Sequence, residues 1–311
     1  MSAESPSIDA VAERRNLRLS YTPSPALKLR VARDEAELAA AFRLVHDAYV
    51  RIGAMTPHTS GMRILPHHAL PTTTVLVATW DDEVVGTASL VSDGALGLPL
   101  DPSYDVGPLR RQGLRLIEAG SLAVAPTFRN HRGEIFLLLL KAVFSHGRDL
   151  AGGDTMVFTV HPRWSRLYHA LLPVVPLGPR EAIAYDLALG QPTVAFCLDL
   201  RNLHERTAAI FHGAPPERNF HQYLTSPLPS IESPRPSAGP GCDSAVARAL
   251  RSGLFDGVLA ELDDAGRARV RRAHEAQPLA SPRSGRARPG RRPVAPLAAQ
   301  RRTGGDEARD P

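Results

Sequence analysis

The chain has 311 residues, 43% of them hydrophobic, which allows one large domain or two modest ones and excludes wholesale disorder. Its formal net charge of +5 is unevenly placed, because residues 266–311 carry 12 arginines against four acids, a net charge of +8, which leaves −3 for residues 1–265. The excess of basic residues therefore lies at the C-terminal end and argues against a nucleic-acid or membrane partner for the rest of the chain.

Local sequence patterns predict the elements of residues 1–71. Residues 1–27 contain Ser, Pro and charged residues without periodicity, which predicts a flexible leader. Alternation from Lys28 to Ala32 is typical of a short strand. Asp34, followed by an acidic first turn, predicts the start of an amphipathic helix over residues 34–50. Residues 53–71, with Gly, Pro, His and Ser, indicate a loop.

The remaining elements of the predicted unit alternate between strands and helices. In chain order they are strands 73–79 and 84–91, a loop, strand 114–124, helix 131–151, strand 156–160, helix 162–172, and strands 181–188 and 193–200. This order indicates an α/β fold with a central mixed, mostly antiparallel sheet flanked by helices.

The C-terminal third has a different composition. The α/β domain is predicted over residues 28–212, followed by a Pro-rich linker at 213–242 and a helical appendage at 243–277. Residues 278–311, rich in Arg, Pro and Ala, are predicted to be a disordered tail.

Glu118 is the only charge in an otherwise apolar strand, Leu116–Val124. One interpretation is an edge or bulge position with the carboxylate in solvent. The other is a general base whose pKa is raised by burial and which accepts a proton from an amine nucleophile.

Tyr168 follows the strand at 156–160 on the next predicted helix. Its neighbours Trp164, Leu167 and Leu171 fit a core aromatic, whereas its hydroxyl could instead protonate a leaving thiolate or orient a thioester.

The histidines, cysteines and serines carry little catalytic signal. His67 and His68 are adjacent, and no carboxylate cluster accompanies the other histidines, so no metal site is expected. Two cysteines exclude a disulfide framework. Ser121 lacks the context of a hydrolase nucleophile.

Residues 1–30 have no apolar segment typical of a secretory signal, and the longest apolar run, 135–140, is too short to span a membrane, so we expect a cytoplasmic protein.

Five segments carry a family resemblance when taken together. They are Phe42–Val50; Leu98–Asp101 with Tyr104, Leu109, Arg110 and Gly113; Glu118 with Leu122–Val124; Val160–Arg163 with Tyr168; and Gly190–Pro192. In this order, residues 28–200 resemble the long-chain N-acyl amino acid synthases, which have the GNAT acyltransferase fold and are related to acyl-homoserine lactone synthases.

The resemblance implies transfer of a long acyl chain from a thioester to the α-amine of an amino acid, with acyl carrier protein, or else acyl-CoA, as the donor. Glu118 would be the general base, and Tyr168 would lie near the leaving sulfur. Leu122, Ala123 and Val124 would bind the pantetheine arm as an added strand would. No bound cofactor is implied.

Two departures from the family pattern affect the substrate sites. The resemblance places Phe42 and Ser121 in the substrate pocket, but Gly120 and Ser121 stand where the family has Ser-Arg, so an arginine associated with the substrate carboxylate is missing. In the donor site, Arg129, Arg132 and Gly133 replace the glycine pattern of a CoA phosphate loop. This substitution favours a carrier-protein donor, whose acidic surface the two arginines could meet.

Three alternatives stay open at this point. The chain could be an ordinary acetyl-CoA-dependent N-acetyltransferase, or a protein that binds acyl donors without turnover. The Arg-rich tail could attract nucleic acid, although without interleaved aromatics it supports only nonspecific attraction. The sequence leaves the oligomeric state open.

Overall fold

A computed structural model of the chain describes residues 18–128, 133–179, 181–227 and 244–276, together with residues 13, 14 and 16. The described strands are β1 Leu27–Val31, β2 Thr73–Trp80, β3 Glu83–Ser92, β4 Leu116–Val124, β5 Thr155–Val160, β6 Val175–Leu177, β7 Ile183–Tyr185 and β8 Gln191–Asp199. They form one sheet in the order β1-β2-β3-β4-β5-β8-β6, with β7 also paired to β8. Among the described strands, β4 and β5 form the one parallel pair. The predicted α/β class with a mostly antiparallel sheet is confirmed.

Helices cover both faces of this sheet. The described α-helices are α1 Glu35–Arg51, α2 Gly107–Arg111, α3 Glu134–Ser145, α4 Ser165–Leu171, α5 Leu203–Ile210, α6 Phe220–Thr225, α7 Ala245–Ser252, α8 Asp256–Ala260 and α9 Asp264–Glu275. Helix α1 begins at the predicted cap, because the Asp34 carboxylate accepts the Glu37 backbone N–H at 2.9 Å.

Helix α3 is the most deeply buried helix and fixes one face of the sheet. It is apolar nearly all round, and a Cβ built on Gly86 of β3 would lie 2.8 Å from Ile135. Gly86 therefore lets helix and sheet approach closely. The predicted helix over 131–151 ends earlier as an α-helix, at Ser145, and continues as one π-helical turn, His146–Leu150.

Parts of the predicted leader and linker are ordered in the structure, namely the end of the leader and the start of the linker, which lie next to the α/β domain in the sequence. Leu19 is buried and its backbone N–H donates to the Glu217 carbonyl, while the Tyr21 hydroxyl donates to the Pro216 carbonyl. Phe220, placed in the predicted linker, is fully buried at the start of α6. The outer leader at 1–12, the second half of the linker at 228–242 and the whole tail at 278–311 lie outside the described residues.

The predicted C-terminal helical appendage packs against α1. Val246, Phe255 and Val270 from α7–α9 and the preceding turns pack with Phe42 of α1 in one apolar cluster. His274 Nε2 lies 2.7 Å from the Ala69 carbonyl, which ties α9 to the loop between α1 and β2.

Candidate active site

The site is created where β4 and β5 separate. The two strands pair only from Leu116 to Glu118, opposite Thr155 to Val157. Beyond Glu118, β4 stays paired to β3 but carries a bulge, where Ser121 adopts a left-handed φ of 48°. Because a bulge bends and twists its strand, it turns the end of β4 away from β5 and leaves a wedge between them.

A cavity of about 710 Å³ occupies this wedge. At one end it is bounded by α1 and the loop after it, through Ala48, Tyr49, Arg63, Leu65 and His68. At the other end it runs between β5 and α3, through Leu140, Val143, Phe144, Met156 and Phe158. The second end is entirely apolar, which suits a hydrocarbon chain.

Glu118 lies in the wall of the cavity, at the point where the strands divide. Its side chain is 5% exposed, and one carboxylate oxygen accepts the Leu100 backbone N–H at 2.8 Å. Burial raises the pKa of Glu118 to about 8, against the lowering effect of the Leu100 hydrogen bond, and the nearby Asp101 charge raises it further. The solvent-exposed alternative for Glu118 is therefore excluded, and the carboxyl has the properties of a general base working near neutral pH.

Tyr168 lines the same cavity from α4. Its ring packs against Phe158, with centroids 5.1 Å apart, and edge-on against Phe136 at 6.4 Å. No described residue is hydrogen-bonded to its hydroxyl. Burial raises the pKa of Tyr168 well above its ordinary value, with a smaller contribution from Tyr49, so the hydroxyl stays protonated. The packing of the ring fits the interpretation as a core aromatic, and a role of the hydroxyl at a thioester stays a prediction.

The predicted donor-binding segment borders the wedge. Ser121, Leu122, Ala123 and Val124 all line the cavity, as does Gly133, which caps α3 with a left-handed φ of 73°. Arg129 and Arg132 lie outside the described residues.

Phe42 differs from its predicted place. It does not line the cavity but is 1% exposed in the core, stacked on His68 with centroids 4.8 Å apart and adjacent to Phe255. The cavity-lining residues of this helix, Ala48 and Tyr49, lie about two turns further on.

Three polar residues of the cavity wall were not singled out from the sequence. Arg63 comes from the loop before β2, and its guanidinium lies over the ring of Tyr49 at 4.7 Å; Tyr185 comes from β7. Tyr49 belongs to a segment used for the family resemblance, but nothing local distinguishes Arg63 or Tyr185 from other surface or core residues.

The described residues hold neither a metal cluster nor a membrane helix. Among them, no three His, Cys, Asp or Glu side chains form a group that could bind a metal ion. Within the same ranges, no helix has the length and apolar content needed to cross a bilayer.

Comparisons with known proteins bear on the family and the fold of the chain. A family model described as N-acyl amino acid synthase FeeM matches residues 40–199. Among solved structures, the chain is similar to FeeM, an N-acyl amino acid synthase from uncultured soil microbes, with 22% identity over 58% of this chain and 95% of that chain and a TM-score of 0.51. This likeness confirms the acyltransferase fold predicted from the sequence.

Two further solved structures have lower TM-scores. BjaI, a CoA-dependent acyl-homoserine lactone synthase, is 20% identical over 72% of this chain and 99% of that chain, with a TM-score of 0.47. The putative acetyltransferase yncA from Salmonella typhimurium is 21% identical over 56% of this chain and 94% of that chain, with a TM-score of 0.41. No curated protein sequence matches significantly.

Proposed function

The chain belongs to the N-acyl amino acid synthase FeeM family of acyltransferases, and from that premise we propose that it is a cytoplasmic enzyme that transfers a long acyl chain from acyl carrier protein to the α-amine of an amino acid. The observation that carries the proposal is the buried Glu118 carboxylate at the division of β4 and β5, in the wall of a cavity whose far end is apolar.

The proposed reaction exchanges a C–S bond for a C–N bond. The amine attacks the thioester carbonyl, and the proton that it loses passes to Glu118, directly or through a water molecule. Collapse of the tetrahedral intermediate expels the thiolate beside Tyr168, and the sulfur then takes up one proton. The products are an amide and the free thiol of the carrier, so atoms and charge balance.

The pantetheine arm of the donor is assigned to the end of β4. From Ala119 to Val124, β4 is paired on the β3 side only, among the described strands, so its other edge can pair with an extended amide-containing ligand. A backbone N–H on this edge would be placed to polarise the thioester carbonyl.

A carrier protein is favoured as the donor over CoA on sequence grounds. The segment Arg129–Glu134 lacks the glycine pattern that brings backbone N–H groups to a pyrophosphate. A carrier-bound pantetheine has no adenosine diphosphate portion and does not need that loop.

The test is a purified assay in which dodecanoyl-acyl carrier protein, dodecanoyl-CoA or acetyl-CoA is mixed with the twenty amino acids and the products are identified by mass spectrometry. We expect N-dodecanoyl amino acids with the carrier donor as the main product. Turnover with acetyl-CoA alone would support the ordinary N-acetyltransferase alternative, and donor binding without any product would support the non-catalytic alternative.

The acyl chain is assigned to the apolar end of the cavity, which makes chain length testable with Val143→Phe. Val143 lines this end, so the larger ring fills space that the distal methylenes need. Each displaced methylene forfeits about 0.8 kcal/mol of burial. We expect kcat/KM to fall by about 10-fold or more with a dodecanoyl donor and to change little with a butanoyl donor.

The matched control is Leu137→Phe, since Leu137 is buried on the same helix but does not line the cavity. An equal loss for long and short donors in Val143→Phe, or the same selectivity change in the control, would place the acyl chain elsewhere.

A further inference from the structure

Arg63 places an uncompensated positive charge in the cavity wall. Its guanidinium is partly buried and forms no ion pair with any described residue. One of its five N–H donors goes to the Leu187 carbonyl, and the group lies over the ring of Tyr49. The Arg63 backbone N–H donates to the Phe42 carbonyl at 3.0 Å, which fixes the loop against α1. A positioned guanidinium with unused donors facing a cavity is suited to a planar anion.

Arg63 and Glu118 belong to one site without neutralising each other. The two side chains do not form an ion pair, yet both act electrostatically on the hydroxyls of Tyr49 and Tyr185. Tyr49 and Tyr185 therefore lie within reach of both charged groups. The space bounded by these four side chains therefore contains the Glu118 carboxyl and the Arg63 guanidinium together.

Besides Arg63, the described lining of the cavity contains one other arginine, Arg163, which follows β5 and lies over the ring of Trp164. Burial, followed by the charges of His67 and Arg63, lowers the pKa of His68 to about 3, so His68 is neutral at physiological pH. The positive charge that the loop before β2 brings to the cavity is therefore that of Arg63, and replacing Arg63 removes it.

We infer that Arg63 binds the α-carboxylate of the acceptor amino acid and selects amino acids over amines that lack a carboxylate. This inference rests on the proposed function, because it assigns the acceptor to the Glu118 end of the cavity. An α-amino acid has its amine one carbon away from its carboxylate, so holding the carboxylate on Arg63 directs the amine toward Glu118. The assignment also explains how the chain can do without the family arginine that Ser121 replaces.

The experiment measures binding, so that it does not depend on turnover. Isothermal titration would compare N-dodecanoyl-leucine with N-dodecanoyl-3-methylbutylamine, which differ only in the carboxylate. We expect wild-type protein to bind the acid about 10- to 100-fold more tightly, as charge-assisted hydrogen bonds predict. Arg63→Gln should bind the two ligands equally, with its affinity for the uncharged amide unchanged.

Two further variants separate recognition from support of the fold. Arg63→Lys keeps the charge but not the planar pair of donors, and should retain part of the preference. Arg43→Gln removes an exposed positive charge of α1 outside the cavity, and should retain all of it.

Three results would overturn the inference: no preference in the wild type, an undiminished preference in Arg63→Gln, or an equal loss of affinity for both ligands in that variant. The last result would mean that Arg63 only anchors the turn at Leu187. A wild type that shows the binding preference but forms no N-acyl amino acid would instead overturn the transferase proposal alone.

Discussion

Replacing Glu118 by Gln is expected to lower kcat by about 10²- to 10⁴-fold while leaving the fold intact. The amide has the shape of the carboxylate and can still accept the Leu100 N–H, but it cannot take a proton from the attacking amine. Because burial raises the pKa of Glu118 to about 8, wild-type kcat/KM should rise with pH up to about 8 as the base form accumulates. Steady-state rates from pH 6 to 9 with the carrier donor measure both effects. Glu83→Gln, at the exposed first residue of β3, is the matched control.

The same substitution should change how stability depends on pH. The folded protein holds a proton on Glu118 that the unfolded chain releases near its ordinary pKa of 4.5, so the wild-type free energy of unfolding falls as pH rises from about 4.5 to 8. The slope from this one group reaches about 1.4 kcal/mol per pH unit. Glu118→Gln lacks this loss, so its Tm should exceed that of the wild type by more at pH 8 than at pH 5. A difference in Tm that is constant over this range, with undiminished turnover, would contradict a buried base.

The strand that carries Glu118 could be predicted because its signal is local. Residues 116–124 are apolar apart from one carboxylate, and an isolated charge on a buried strand leaves only a bulge or a functional role. The interpretation with the Glu118 carboxylate in solvent is wrong, because the side chain is 5% exposed, and the role of general base stays a prediction. The bulge is present, but it lies at Ser121, and it is the bulge that opens the wedge into which Glu118 faces.

Arg63 and Tyr185 could not be predicted because their roles depend on distant contacts. Arg63 sits in a loop without periodicity, and it meets Leu187, which is 124 residues further along the chain. β6, only three residues long, was missed for a similar reason, since it exists through pairing with β8.

Phe42 was misplaced for a geometric reason. Phe42 and Tyr49 belong to one apolar stripe of α1, and their spacing of seven residues keeps them on one face. Seven residues also span about 10 Å of helix, so the stripe meets the appendage helices at Phe42 and the cavity at Tyr49. Periodicity assigns a face to a residue but not the partner that covers it.

Tyr168→Phe is expected to lower kcat by about 10²-fold with little change in stability. Because burial raises the pKa of the Tyr168 hydroxyl well above its ordinary value, full proton transfer to a thiolate would be strongly uphill. At the leaving sulfur, a hydrogen bond from the intact hydroxyl is therefore better supported than full proton transfer. The ring contacts with Phe136 and Phe158 are kept by Phe, so the substitution removes the hydroxyl alone.

Changing the leaving group of the donor tests the role of Tyr168 at the sulfur more directly than kcat with one donor does. A dodecanoyl thiophenyl ester expels a more acidic, better-stabilised thiolate, which needs less help from a hydrogen-bond donor. The ratio of wild-type to Tyr168→Phe rates should therefore fall well below 10²-fold with this ester. The control is Tyr104→Phe, because the Tyr104 hydroxyl is bonded to Thr193 outside the cavity. This variant should keep near wild-type rates with both donors. If the ratio were the same for alkyl and aryl thioesters, Tyr168 would not act at the sulfur, and its contribution would lie in orienting the thioester before attack.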